Sequence, residues 1–196
     1  MARADSPRNQ RHRALIAQAA ARLIAEHGLT DWSAAKRKAC RELGLAGDEA
    51  LPGNEEVEQA LRNYNSLFRG DAQAVSLRQQ RQAALGWMER LAAWHPVLIG
   101  GVAAGWATAY SDVRLELEAE DPKEVELALI NAGIDYQPGD AGPLAPVQLV
   151  AGRGEGAVRL QILTPQQRRN RLRRDEDVRL TSDELQALLD GEAAAG

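Results

Sequence analysis

The 196-residue chain has one cysteine, Cys40, one phenylalanine, Phe68, and an aromatic content of only 4%. A lone cysteine excludes an internal disulfide and any cysteine-rich metal cage. So few rings mean that cores must be built from Ala, Leu, Val and Ile, which makes each of the four tryptophans worth locating. No stretch approaches about 18 uninterrupted apolar residues, the length a membrane-spanning helix requires. No positively charged start leads into an apolar run of the secretory kind. The expected compartment is the reducing cytoplasm, with no membrane partner. His12, His27 and His95 stand apart without ligand spacing, so neither zinc nor haem is expected, and no flavin motif is present.

The composition is that of an ordinary globular protein, 44% hydrophobic and 27% charged. The formal net charge of -4 conceals a division: residues 1–95 carry 14 Lys and Arg against 11 Asp and Glu, and residues 96–196 carry 10 against 17. Domains commonly run about 100 to 150 residues, so this length accommodates one large core or two small ones. The charge division favours two units with different surfaces.

Apolar periodicity divides the chain at the same place. Leu15, Ile16, Ala19, Leu23 and Ile24 recur at three- and four-residue spacing before Gly28, predicting an amphipathic helix with a glycine stop. Asp31 is the expected N-cap of a second helix whose inner face would be Trp32, Ala35, Ala39 and Leu43. Cys40 lies on that stripe and reads as a small buried side chain rather than a nucleophile. Asn54 before Glu55 and Glu56 predicts the cap of a third helix ending at Gly70. A fourth, from about Ala72 to Trp94, carries Leu77, Ala84, Leu85, Met88 and Leu91 on one side, with Trp87, Leu91 and Trp94 sharing a face.

From Pro96 onward the texture changes. Val97 to Ile99 is a short apolar run, and Asp112 to Glu118 alternates, with Val113, Leu115 and Leu117 on one face and Asp112, Arg114, Glu116 and Glu118 on the other. Asp121 as N-cap, Pro122 at the first helical position and Gly133 past the end delimit a helix with Val125, Leu127, Leu129 and Ile130 as its apolar residues. Ile134 to Tyr136 is a further short run. Val147 to Val150 and Val158 to Leu163 flank a glycine-rich loop and predict a hairpin. Thr181 and Glu184 have capping-box spacing and open a last helix. The expectation is an α+β chain, with a four-helix unit over residues 1–95 and a mixed sheet of four to five strands with flanking helices over residues 96–196.

One constellation carries chemistry. Gly100 and Gly101 follow a short strand, and ten residues separate Gly101 from Asp112, which opens the next. Paired glycines let a phosphate approach the backbone, where a side chain would block the amide donors. This arrangement resembles the nucleotidyltransferases of the DNA polymerase β-like superfamily over roughly residues 96–163. The whole chain looks like small bacterial nucleotidyltransferase-like proteins with a helical N-terminal half. The resemblance implies Mg²⁺ and a nucleoside triphosphate as ligands. It places Gly100, Gly101, Ser111 and Arg114 toward the nucleotide, Asp112 on the metal, and Asp112 with Glu116 as the reacting carboxylates.

The family pattern asks for two carboxylates two residues apart on the strand, which alternation sets on one face about 7 Å from each other, close enough to share metal ions. Here Arg114 occupies the second position, and a guanidinium repels a divalent cation. Glu116 lies about 13 Å along the strand from Asp112. Two readings follow. In one the protein transfers a nucleoside monophosphate with an unusual carboxylate set, and in the other it is a catalytically inactive nucleotide-binding or protein-binding regulatory module. On a bland reading Asp112 and Arg114 are an ion pair on a solvated sheet.

Arg168, Arg169, Arg171, Arg173 and Arg174 form the one dense basic run and could grip a nucleic-acid backbone. The following Asp175, Glu176 and Asp177 favour a self-paired surface segment instead. Residues 11–45 resemble the start of a TetR-type repressor, but the acidic, turn-forming stretch from Ala46 to Gly53 stands where a basic recognition helix is required, which argues against that role.

Overall fold

A computed structural model describes residues 7–29, 31–45, 51–68, 70–139, 146–152, 156–170 and 178–194. They form eight α-helices and one mixed five-stranded sheet, an α+β architecture. The change of texture at Pro96 divides the sequence, but contacts group the chain differently. One compact unit takes Met1–Ser76 and Gly105–Ser111, the other Leu77–Ala104 and Asp112–Gly196.

The first unit is built on α1 (Pro7–His27), α2 (Trp32–Glu42), α3 (Asn54–Phe68) and the opening turns of α4 (Gly70–Arg90). The buried face of α1 is Ile16, Ala17, Ala20, Ala21, Leu23 and Ile24, whereas Leu15 is half exposed. The apolar stripe is therefore rotated from the expected one, because small alanines fill the side nearest its neighbours. Ala35, Ala39 and Cys40 bury the inner face of α2, and Val57 and Leu61 that of α3. Leu43, expected inside, is exposed beyond the end of α2.

The segment after Ala104 belongs to this unit because Trp106 packs against Trp32, with ring centroids 5.2 Å apart. Asn65 Nδ2 donates to the Trp106 carbonyl at 3.1 Å, and Gln73 Nε2 donates to the carbonyls of Gly105 and Ala107 at 3.1 and 3.0 Å. Gly28 is required twice over. Its φ is +65°, and a Cβ there would stand 2.8 Å from the Tyr110 ring.

Asp31 caps α2 as the sequence predicts, accepting from Ala34 N at 3.1 Å. The expected Asn54 cap is corrected by one residue. Val57 N donates to the Gly53 carbonyl, and Glu56 reaches back to Gly53 N at 2.7 Å, so Gly53 is the capping position. Asn54 Oδ1 instead accepts from Lys36 Nζ at 2.7 Å.

In the second unit, β1 (Val97–Ile99), β2 (Val113–Glu118), β3 (Tyr136–Pro138), β4 (Val147–Ala151) and β5 (Val158–Leu163) lie in the order β1-β2-β5-β4-β3. β2 and β5 are parallel and the other pairs antiparallel, including the β4–β5 pair expected as a hairpin. Register fixes the faces. Leu98, Leu115, Leu160 and Leu149 are partners across four strands, and all are buried. The outer edge of β1 is closed by Leu180, which exchanges both backbone hydrogen bonds with Leu98.

Four further helical pieces complete the unit: α5 (Gly101–Ala104), α6 (Pro122–Asn131), α7 (Pro165–Asn170) and α8 (Ser182–Ala194). α6 has the predicted cap, Asp121 accepting from Lys123 N, and α8 has the predicted capping box, Thr181 N donating to Glu184 at 2.8 Å. Val125 and Leu129 bury one stripe of α6, while Leu127 and Ile130 are exposed. Val125 and Leu129, four apart, share one face, and Leu127 and Ile130, three apart, share the opposite one. Arg81, buried in α4, donates to the Val102 carbonyl at 3.2 Å and pairs with Glu192 of α8. Trp87 Nε1 donates to the Gly156 carbonyl at 3.3 Å, beside Gly152. Among the described residues, no helix is long and apolar enough to cross a membrane.

Candidate functional site

The polar face of the sheet is set by the same register that fills its apolar face. Residues paired across β2 and β5 share a side, so Arg114 stands beside Arg159, Glu116 beside Gln161, and Glu118 beside Leu163. Neighbouring strands lie about 4.8 Å apart, whereas residues two apart on one strand are separated by about 7 Å. A charged side chain therefore finds its partner across strands more readily than along its own.

Asp112 follows that rule. Its Oδ2 accepts from Arg159 Nε at 2.6 Å, and both side chains are partly exposed. The pairing with Arg114 expected on the bland reading is thus corrected: the partner comes from β5. Glu116 is 1% exposed and receives both terminal nitrogens of Arg179, Nη1 to Oε2 at 3.0 Å and Nη2 to Oε1 at 2.5 Å. This fork-to-fork geometry satisfies both carboxylate oxygens in a buried setting. Glu118 accepts from Arg168 Nη1 at 3.1 Å, and the same nitrogen lies 3.5 Å from the His95 carbonyl.

Three carboxylates on or next to β2 are thus each engaged by an arginine from elsewhere in the unit. Arg114, between two of them in sequence, is exposed and forms no ion pair among the described residues. Its aliphatic stem passes Gly100: a Cβ at Gly100, where φ is +72°, would stand 3.4 Å from Arg114 Cδ. Gly101 is buried and opens the four-residue α5. Ser111 belongs to the other compact unit, where its Oγ accepts from Thr108 N at 3.0 Å. Gly100, Gly101, Asp112, Arg114 and Glu116 therefore lie in one unit and Ser111 in the other. Arg168 and Arg169 lie on α7, and the remaining arginines of the basic run, Arg171, Arg173 and Arg174, fall outside the described residues.

Mg²⁺ takes hard oxygen ligands in near-octahedral geometry, usually from one or two carboxylates. The oxygens here are turned to guanidinium groups, and Arg114 adds a positive charge between Asp112 and Glu116. This donor set does not fit a divalent cation. Among the described residues no group of three or more His, Cys, Asp or Glu is placed to hold a metal ion. What the face presents to solvent is a guanidinium beside a half-paired second one, suited to an anion with several oxygens.

Sequence reasoning picked out Asp112, Arg114 and Glu116 but missed Arg159 and Arg179. Arg159 was legible as a polar position on a strand of alternating pattern. Arg179 carries no local signal, because it follows the basic and acidic run and meets Glu116 across 63 residues of chain. No family model, curated protein or solved structure matches this chain.

Proposed function

We propose that this chain is a nucleotidyltransferase-like binding module that holds the phosphates of a nucleotide on the polar face of its sheet without transferring them. The observation that carries this reading is the occupation of Asp112, Glu116 and Glu118 by arginines beside an exposed Arg114. A transferase of the two-metal kind uses free carboxylates to neutralise the triphosphate through cations. Here guanidinium groups would meet the phosphate oxygens directly, with bidentate geometry and no metal between. Gly100 supports the reading, since the lack of a Cβ there keeps the approach beside the Arg114 stem free of a side chain.

The test is calorimetric titration with ATP, GTP, CTP and UTP, with Mg²⁺ and with a chelator. The expected result is binding that survives the chelator and weakens about tenfold or more in Arg114→Ala, a loss of at least about 1.4 kcal/mol. Folding of that variant should change by no more than about 0.5 kcal/mol, because the side chain is exposed. Mg²⁺-dependent pyrophosphate release that disappears in Asp112→Asn would overturn the proposal in favour of a working transferase. Absence of binding to every nucleotide would overturn it in favour of a protein-binding surface.

A further inference from the structure

A shallow, open cavity of about 540 Å³ lies on the same polar face, between β5 and α7. That volume lies within the range of small-molecule sites. Its walls are Pro146, Gln161, Leu163, Gln166 and Asn170, with no charged side chain among the lining residues. Thr164 and Gln167, also on its margin, are occupied with each other. Thr164 N donates to Gln167 Oε1 at 2.9 Å, and Gln167 N donates to Thr164 Oγ1 at 3.2 Å. These mutual bonds fix the start of α7, and the lining keeps the amides of Gln161, Gln166 and Asn170 together with the Thr164 hydroxyl and the Gln167 amide nitrogen as its polar groups.

Such a lining selects by chemistry. An amide offers a donor pair and an acceptor together, and so matches a ligand edge that alternates donors and acceptors. A phosphate, which only accepts, gains nothing from the carbonyl half of each amide. Leu163 and Pro146 supply apolar walls that favour a flat, weakly hydrated ring over a fully hydroxylated sugar. Gln161 is also the next residue on the polar side of β5 after Arg159, about 7 Å along the strand. Gln161 of the cavity wall thus lies two residues along β5 from Arg159, the register partner of Arg114.

We infer that this cavity receives the base of the nucleotide whose phosphates lie on Arg114 and Arg159, and that Gln161 reads the hydrogen-bonding edge of that base. The inference rests on the proposed nucleotide-binding function and adds a specificity site to it. Charge on the arginines holds any polyphosphate, and the amide cavity distinguishes a nucleotide from a bare polyphosphate and one base from another.

The experiment compares inorganic triphosphate with ATP, GTP, CTP and UTP in calorimetric titrations of the full chain and three variants: Gln161→Leu, Gln166→Ala and Arg114→Ala. At least one nucleotide is expected to bind about tenfold or more tighter than inorganic triphosphate. Gln161→Leu should remove that advantage while leaving inorganic triphosphate unchanged, and Arg114→Ala should weaken both ligands together. Gln166 lies on the exposed side of α7, so its variant keeps the test usable if Gln161→Leu fails to fold, and its nucleotide affinity should also fall. Equal affinity for nucleotides and inorganic triphosphate would overturn the base cavity and leave the phosphate site standing. So would unchanged nucleotide affinity in both Gln166→Ala and a folded Gln161→Leu. Failure of every phosphate-bearing probe to bind would overturn both.

Discussion

The two compact units treat their polar groups differently. In the helical unit, Lys36, Glu56, Asn65 and Gln73 each tie two segments together. Lys36 joins α2 to the start of α3 through Asn54, Glu56 joins α3 to Arg13 of α1, and Asn65 and Gln73 hold the Gly105–Ser111 segment by its carbonyls. Burial lowers the pKa of Lys36 against the opposing attraction of Glu56. For Glu56, burial pushes upward, but the bonds from Arg13 and Gly53 N and the charges of Arg13 and Lys36 outweigh it and hold the carboxyl below its usual value. The sheet unit instead lines up its polar side chains on a face. Some are paired across strands, and others, Arg114 and the cavity amides, are turned outward. A polar group that closes a gap between segments is explained by folding alone, whereas a row of them on an open face is not required by folding.

The comparison can be broken most severely at Glu116. Removing Arg179 takes both guanidinium bonds from a carboxylate that is 1% exposed. Arg179→Ala is therefore expected to lower unfolding free energy by about 3 kcal/mol at neutral pH, read by urea denaturation. A double variant, Glu116→Leu with Arg179→Leu, should recover most of that loss, since a matched apolar pair avoids desolvation. If Arg179→Ala unfolds like the wild type, the pair is a surface contact and the contrast between the units weakens.

The helical unit offers an internally controlled pair. Gly28 and Gly44 share a φ of +65°, but only Gly28 faces an obstacle, the Tyr110 ring. Gly44→Ala is expected to destabilise by about 1 kcal/mol through backbone strain alone, and Gly28→Ala by about 2 kcal/mol or more. Thermal unfolding of both variants measures the difference. Equal losses would show that Tyr110 gives way without penalty and that the Gly105–Ser111 segment is held loosely.

The smallest expected effect is on acid sensitivity. Glu56 in the helical unit and Glu184 in the sheet unit both have lowered pKa values, the latter because Thr181 N–H and then its hydroxyl donate to the carboxylate. A carboxyl whose folded pKa lies below its unfolded one adds stability above the unfolded value. That stability fades as pH falls from the usual carboxylate pKa of about 4.3 through the lower folded value. Glu56→Gln and Glu184→Gln should each flatten the stability profile in that window. An unchanged slope would remove the carboxylate from the account of its helix start.

Legibility followed the range of the interaction. Caps and stops are local, so Asp121, the Thr181–Glu184 box and Gly133 read directly, and alternation located β2, β4 and β5. Asn54 misled because Gly53 could cap without a side chain, leaving the Asn54 amide free to meet Lys36. Leu127 and Ile130 misled because a ten-residue helix buries a stripe narrower than its apolar content. At the candidate site the sequence supplied Gly100, Asp112, Arg114 and Glu116 as a set, but no sequence rule could supply their partners. Side chains two apart on a strand diverge by about 7 Å, so the nearest charge in sequence is not the nearest in space.

By itself, then, the sequence determined the starts of α2, α6 and α8, which face of β2 is polar, and that a guanidinium stands where a second carboxylate would complete a metal site. The tertiary structure decided which cations neutralise Asp112, Glu116 and Glu118, which compact unit claims the Gly105–Ser111 segment, and which side chains line the open cavity between β5 and α7. The physical reason is reach. Caps and periodicity act within a turn or a strand, whereas an ion pair depends on the register of strands and segments brought together from dozens of residues apart.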